Sequence, residues 1–295
     1  MIKDRDNNVV RCGESKQEKI LELLYGNPFG RMLIKPLISP KLSAAVGKFM
    51  DSRLSKPLVK PFIRSNGIDV TEFEMSGVNT FNKAFSRKIK EGKRPVDMKK
   101  ESFISPCDAK LSVYEISKDS TFKIKNSIYS VSDLVKSKKL AEKYLGGWCM
   151  IFRLECSDYH RYCYVDNGCK GRNFHIKGQL HTVNPIALRK YNIYKRNSRE
   201  FTVLHTQNFG DVTQIEVGAM LVGKIANHHS SCTFKKGQEK GMFLYGGSTI
   251  VLLVQKNKVM PCYEFLRNTE QGCETIVRYG EKIGVRYNVY GATKS

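Results

Sequence analysis

Tyr245-Gly246-Gly247-Ser248-Thr249-Ile250-Val251-Leu252-Leu253-Val254 joins a glycine pair, a serine and an unbroken apolar run. A short β-branched and apolar run of this kind predicts a buried strand, entered here through Ser248. Two glycines permit unusual backbone angles and close approach at the Gly247–Ser248 peptide, which a serine attacking the preceding carbonyl would need. The same stretch also reads as a plain glycine bulge at a strand entrance. Only its surroundings decide between the two.

Immediately upstream, Lys235-Lys236-Gly237-Gln238-Glu239-Lys240-Gly241 predicts a charged, glycine-bounded hairpin turn that delivers Met242–Tyr245 into the serine segment. Further back, Leu111–Val113, Trp148–Leu154 and Ile215–Leu221 alternate as strands do. One helix is expected among them over Ser132–Tyr144, with Ser132 as its cap. Before Ser102 the character is helical. Phe81, Phe85 and Ile89 share a face across Thr80–Ile89, and Leu42, Val46, Phe49 and Met50 recur at helical spacing. Residues 1–16 read as a loose polar lead-in. The expectation is an α+β chain, with an N-terminal helical segment followed by an antiparallel β-rich body.

The chain has 295 residues and a formal net charge of +22, from 50 lysines and arginines against 28 acids. An excess of that size favours a polyanion, either nucleic acid or an anionic membrane surface. No zinc-finger spacing, RNA-recognition signature or basic heptad array supports the first. Residues 30–65 carry eight basic side chains against Asp51 alone, which suits an anionic bilayer face as well as a solvated helical layer. Nine cysteines at irregular spacing, with no secretory signal before them, point to free thiols in a reducing compartment. No apolar run approaches the ~18 residues that span a bilayer.

Three segments carry candidate chemistry. Ser105-Pro106-Cys107-Asp108-Ala109-Lys110 places Asp108 at a turn, where it is either a turn-capping side chain or a functional carboxylate. Ser157-Asp158-Tyr159-His160-Arg161-Tyr162-Cys163-Tyr164 presents His160 as a core histidine or a base. Gly247-Ser248 is the third. A conventional serine hydrolase is disfavoured, because its nucleophile elbow needs glycine two residues after the serine and Ile250 stands there. Cys156, His160, Cys163 and Cys169 have a spacing that matches no common zinc knuckle.

In this order the three segments resemble those of the phosphatidylserine decarboxylases, pyruvoyl enzymes that mature by self-cleavage. Thr80-Phe81-Asn82-Lys83-Ala84-Phe85-Ser86-Arg87-Lys88 with Arg94-Pro95 resembles the family's entry motif. Ser105-Pro106-Cys107-Asp108 is similar to its Ser-Pro-x-Asp-Gly turn and Asp158-Tyr159-His160-Arg161 to its Asp-Tyr-His-Arg block. Lys236-Gly237 through Gly241 and Phe243 to Gly247-Ser248-Thr249 resembles the processing site.

The resemblance implies that Ser248, relieved of its proton by a His160–Asp108 pair, attacks the Gly247 carbonyl. It implies cleavage into a β chain, 1–247, and an α chain, 248–295, that stay associated, with Ser248 becoming a pyruvoyl group. It further implies a Schiff base with phosphatidylserine, loss of CO2 and release of phosphatidylethanolamine. Residues 1–100 would then form a basic membrane-docking region and 101–295 the catalytic domain, peripheral on the cytoplasmic side of the cell membrane. A homodimer is kept as one assembly option, and no metal is expected. Three departures from the family pattern stand out: Cys163 where many relatives carry a second histidine, Ala109 after Asp108, and Gly246 where leucine is common. The alternative reading is a non-catalytic basic protein that binds membrane or nucleic acid as an intact chain.

Overall fold

The computed structural model describes residues 1–12, 40–119, 121–124, 127–178, 197–218, 224–244 and 248–287. Eleven strands among them form one sheet. In chain order they are β1 (Ile2–Lys3), β2 (Val9–Arg11), β3 (Ala109–Glu115), β4 (Trp148–Leu154), β5 (Gly168–Lys170) and β6 (Phe174–Ile176). Then follow β7 (Arg199–Thr206), β8 (Gly210–Val217), β9 (Cys232–Phe234), β10 (Ser248–Val254) and β11 (Glu274–Val277). Their spatial order is β9-β5-β7-β8-β10-β4-β3-β11-β1-β2, with β6 beside β7. All the pairings in this sheet are antiparallel except that of β1 with β11.

The apolar run of β10 lies at the centre of this sheet and is buried throughout, because both of its faces are covered. Ile250, Leu252 and Val254 join one core with Phe152, Met150 and Leu111, while Val251 and Leu253 join another with Ile151 and Ile215. The second face is roofed by the short helices α4 (Val131–Val135) and α5 (Lys138–Glu142). A single helix was expected there; instead Lys136 takes a left-handed conformation (φ 52°), and Ser137 caps α5 by accepting from the Leu140 amide. Ser132 is not a cap, and its hydroxyl bonds that of Ser130.

Over the first face lies a three-stranded sheet of Arg161–Cys163, Glu239–Leu244 and Lys224–Asn227. The turn at 235–238 does form, with Gly237 at φ 75°. It is not a hairpin, however. Cys232–Phe234 pairs into the large sheet and Glu239–Leu244 into the small one, so the turn carries the chain between layers. Another three-stranded sheet, Ser102–Ile104, Lys282–Arg286 and Val259–Pro261, adds Phe103, Ile283 and Val259 to the same core.

The N-terminal helices are α1 (Pro40–Asp51), a 3-10 turn at Arg53–Leu58, α2 (Val59–Ser65) and α3 (Phe81–Phe85), and α6 (Tyr263–Glu270) packs near the other end of the chain. Thr80 caps α3 by accepting from the Lys83 amide, and this helix ends at Phe85, sooner than the pattern through Ile89 suggested. Met50, Phe62, Phe81 and Phe85 form a separate small core. The expectation of a loose lead-in is corrected for its first part. Ile2–Lys3 and Val9–Arg11 are sheet strands, pinned by Arg5–Glu264 and Arg11–Glu155 ion pairs and by Lys3 donating to Gln271. Their polar side chains found partners far along the chain, which local composition does not encode.

Candidate active site

Ser248 begins β10 opposite Leu154, the last residue of β4. It is fully buried, and its Oγ has no hydrogen-bond partner among the described residues. Beyond Leu154 the chain turns through Glu155–Asp158, whose carbonyl and amide are bonded at 2.9 Å, and returns at His160. There the His160 carbonyl accepts from the Phe243 amide at 2.9 Å. The 154–160 loop therefore holds the chain on both sides of residues 245–247, at Phe243 and at Ser248. Gly247, with Tyr245 and Gly246, lies outside the described residues, as does His181.

His160 is also completely buried. The ring of Phe85 lies 3.9 Å from it, centroid to centroid, tilted by 39°. Its Nδ1 is 2.9 Å from the Asp158 backbone oxygen, and among the described residues its Nε2 has no partner. Burial, and then the nearby Arg87 cation, push the imidazole pKa down to about 3. The ring is therefore neutral at ordinary pH. A carbonyl oxygen can only accept, so Nδ1 carries the hydrogen and Nε2 the free lone pair. That is the protonation state a general base requires.

Asp108 does not orient this histidine. Its carboxylate receives a forked pair of bonds from Arg94, Nη2 to Oδ2 at 2.8 Å and Nε to Oδ1 at 3.0 Å, and a third from the Tyr279 amide at 2.8 Å. Arg94 also reaches Glu72 at 3.1 Å. The expected Asp108–His160 pairing is thus replaced by an Asp158 carbonyl–His160 pairing, and Asp108 instead ties the turn before β3 to the turn after β11.

The loop carrying His160 is held by charges that the sequence analysis left without a role. Lys110 of β3 donates to both oxygens of Asp158 at 2.7 Å and lies 3.3 Å from Glu155. Arg153 bridges Glu155 and Glu274, at 3.0 and 2.6 Å. Burial would raise the Glu155 pKa, but Lys110, Arg153 and Arg11 outweigh it and hold the group down to about 2. Arg87 donates to the carbonyls of Ser157 and Asp158. A basic residue inside an apolar strand, as Lys110 and Arg153 are, was the available signal for these partners.

Cys163 is buried with its thiol pushed up to about 12, mainly by burial, so it stays protonated at neutral pH. Among the described residues no group of three or more His, Cys, Asp and Glu side chains is placed to hold a metal ion. Of the other described histidines, His205 pairs with Asp211 at 2.7 Å and His228 with Glu239 at 2.6 Å. His175 lies 3.7 Å from Glu200, and His229 lies 3.4 Å from the Tyr164 hydroxyl.

The chain matches the phosphatidylserine decarboxylase family model over residues 81–285. It is 47% identical over 284 residues to phosphatidylserine decarboxylase proenzyme 2 of Clostridium acetobutylicum, covering 96% of this chain and 97% of that one. It is 38% identical to the phosphatidylserine decarboxylase proenzyme of Clostridium kluyveri, with 92% and 93% covered. The proenzyme of Desulfitobacterium hafniense is 35% identical, with 97% and 99% covered.

Proposed function

This chain belongs to the phosphatidylserine decarboxylase family, and we propose that it decarboxylates phosphatidylserine by means of a pyruvoyl group made from its own Ser248. The enzyme is a carboxy-lyase, and its product is phosphatidylethanolamine. The observation that carries the pyruvoyl assignment is a matched pair of orphans. Ser248 Oγ and His160 Nε2 are both buried without partners, on two segments that the sheet pairing brings together. A buried hydroxyl left unsatisfied costs about 1–3 kcal/mol, so it is retained for a reason other than stability.

In the self-processing step His160 Nε2 takes the Ser248 hydroxyl proton and Oγ adds to the Gly247 carbonyl carbon. The peptide nitrogen leaves with a proton, which turns the amide into an ester. Loss of the Cα proton of residue 248 then expels the Gly247 carboxylate. Hydration of the resulting enamine releases ammonia and leaves the keto group at the new N-terminus. When formed, that group supplies an electron sink for the pair left behind by CO2. His160 keeps its base form through burial, with the Phe85 ring lying on its imidazole. Cys163, as a protonated thiol, is no second base, which leaves His160 in that role among the described residues.

The two fragments would stay together. In the sheet β10 is hydrogen-bonded between β8 and β4, and β11 lies between β3 and β1. Cutting before Ser248 leaves all four of these pairings in place.

The membrane-docking role belongs to residues 40–65. Leu54 is 78% exposed, Phe49 43% and Leu58 40%, and Lys48, Arg53, Lys56, Lys60 and Arg64 are all exposed around them. Apolar side chains ringed by cations suit an anionic lipid surface, where each cation contributes about 1 kcal/mol. No helix among the described residues is long and apolar enough to cross a membrane.

The deciding experiment is a denaturing intact-mass measurement of the purified protein beside Ser248→Ala. The wild type is expected as two chains, 1–247 and 248–295, the latter blocked by a pyruvoyl group, and the variant as one. A folded wild type that stays whole with lipid present overturns the proposal.

A further inference from the structure

Arg87 is 2% exposed, and no carboxylate among the described residues lies within ion-pair distance of it. Its Nη2 donates to the carbonyls of Ser157 at 2.7 Å and Asp158 at 3.2 Å, and its Nη1 to those of Ala84 at 3.5 Å and Phe85 at 3.4 Å. Its Nε has no partner, and the guanidinium lies 4.2 Å from the Phe73 ring centroid. The neighbouring acids are already matched by other cations: Asp108 by Arg94, and Asp158 and Glu155 by Lys110. A buried guanidinium with no carboxylate bonded to it, balanced only at longer range by Asp108 and Asp158, is costly, which points to a task beyond packing.

The task is visible in what the 85–87 segment touches. Phe85 lays its ring on the imidazole of His160, and the Ser86 carbonyl accepts from Arg161 Nε at 2.9 Å. Arg87 holds the carbonyls of Ser157 and Asp158 in the turn that leads to the histidine. One of them, the Asp158 oxygen, is the same atom that His160 Nδ1 meets. If the ring took the other tautomer, a nitrogen lone pair would face that oxygen at 2.9 Å, and Arg87 prevents the oxygen from withdrawing.

We propose that Arg87 is a positioning residue which, through the shared Asp158 carbonyl, holds His160 with its hydrogen on Nδ1 and its lone pair on Nε2. This rests on His160 being the base of self-cleavage. The guanidinium charge adds a second effect. It disfavours an imidazolium beside it, as does Lys110, and these two are the charges that bear on the ring. Asp108 and Arg94 stand behind Arg87, and Asp158 and Glu155 offset Lys110. On the Glu239–Leu244 strand Glu239 pairs with Arg161 and Lys240 with Glu216, and Met242–Leu244 carry no charge.

The test uses two readouts. In the full-length Ser248→Ala precursor with ¹⁵N-labelled histidine, the His160 resonances are assigned by their loss in His160→Gln and followed from pH 5 to 8. The Nδ1–H tautomer is expected throughout. Adding Arg87→Met should produce mixed tautomers and a titration moving toward the ordinary histidine range. With Ser248 restored, cleavage by Arg87→Met after cell-free synthesis should be more than about twofold slower at pH 5.5 than at pH 8, because losing the Arg87 charge raises the pKa of the base while burial, the larger cause, still holds it below the ordinary histidine value. The wild type should change less than twofold. Arg87→Lys, which keeps the charge, should keep the flat profile, and it carries the test if Arg87→Met does not fold.

An unchanged tautomer with a uniformly slowed rate in Arg87→Met, or identical pH profiles for the Lys and Met variants, overturns the inference. If His160→Gln cleaves at the parental rate, the base assignment itself falls, a separate outcome from a failure at Arg87.

Discussion

Lys240→Met removes the cation from an ion pair in which neither side chain has any exposed surface. Lys240 Nζ lies 2.7 Å from Glu216 Oε1 and 2.6 Å from Asn227 Oδ1, over the ring of Tyr162 at 5.6 Å. Without it, Glu216 keeps only amide donors, Gln214 Nε2 at 3.1 Å and Asn227 Nδ2 at 3.4 Å. An uncompensated buried charge costs about 3–5 kcal/mol, and the single substitution should destabilise by that amount. The double variant Lys240→Met, Glu216→Gln removes both charges and should recover most of the loss, giving a coupling energy of roughly 2–3 kcal/mol. The assay is urea unfolding in a Ser248→Ala background, so that one uncut chain is measured, comparing midpoints at unchanged slope. Glu216 pairs with Ile250 and is therefore the diagonal neighbour of Ser248 on the same sheet face, about 7–8 Å away. For that reason the single variant with Ser248 intact should also cleave slowly. A loss below about 1 kcal/mol, or a double variant no better than the single, would refute the reasoning.

Three further outcomes follow from the same geometry. The folded pKa of His160, about 3, lies below its unfolded value, so the unfolded state binds more protons and stability falls as pH drops below about 6.5. Between pH 7 and 5 the Ser248→Ala precursor should lose about 2 kcal/mol more than its His160→Gln derivative, as read by denaturant titration at each pH. Cys163→Ala should leave the extent and rate of self-cleavage within about twofold, since a thiol held near 12 is not a base at neutral pH; a severe loss, seen on a denaturing gel, would return a role to the thiol. Leu54→Asp with Leu58→Asp should weaken sedimentation with phosphatidylserine-containing vesicles tenfold or more while thermal stability stays within a degree or two, because both side chains are exposed.

Much of this protein is legible in its linear order. The run from Ile250 to Val254 announces a strand covered on both faces, and its place at the centre of the sheet follows from burial on both sides. Ser248 and His160 were identified as site residues from their own segments and from resemblance. The mixed α+β character with a mostly antiparallel sheet is also as expected, although two strands precede the helices of residues 40–65. These features depend on periodicity, on β-branched and apolar content, and on short motifs, all of which are local.

The pairing of charges is not local, and there the sequence was silent or misleading. Asp108 looked like the partner of His160, yet the antiparallel register and the turn after β11 set it against Arg94 and the Tyr279 amide. Lys110 meets Asp158, Arg153 meets Glu274, and Lys240 meets Glu216, across separations of 48, 121 and 24 residues. Residues 2–11 became sheet because β11 offered an edge to pair with. The sequence by itself determined which segments become buried strands and pointed to Ser248 and His160 as candidates for the chemistry, because hydrophobic period and motif are written residue by residue. Only the tertiary structure decided which buried charge faces which, and so which nitrogen of His160 is free, because a buried group takes its partner from whatever the register brings within hydrogen-bond reach.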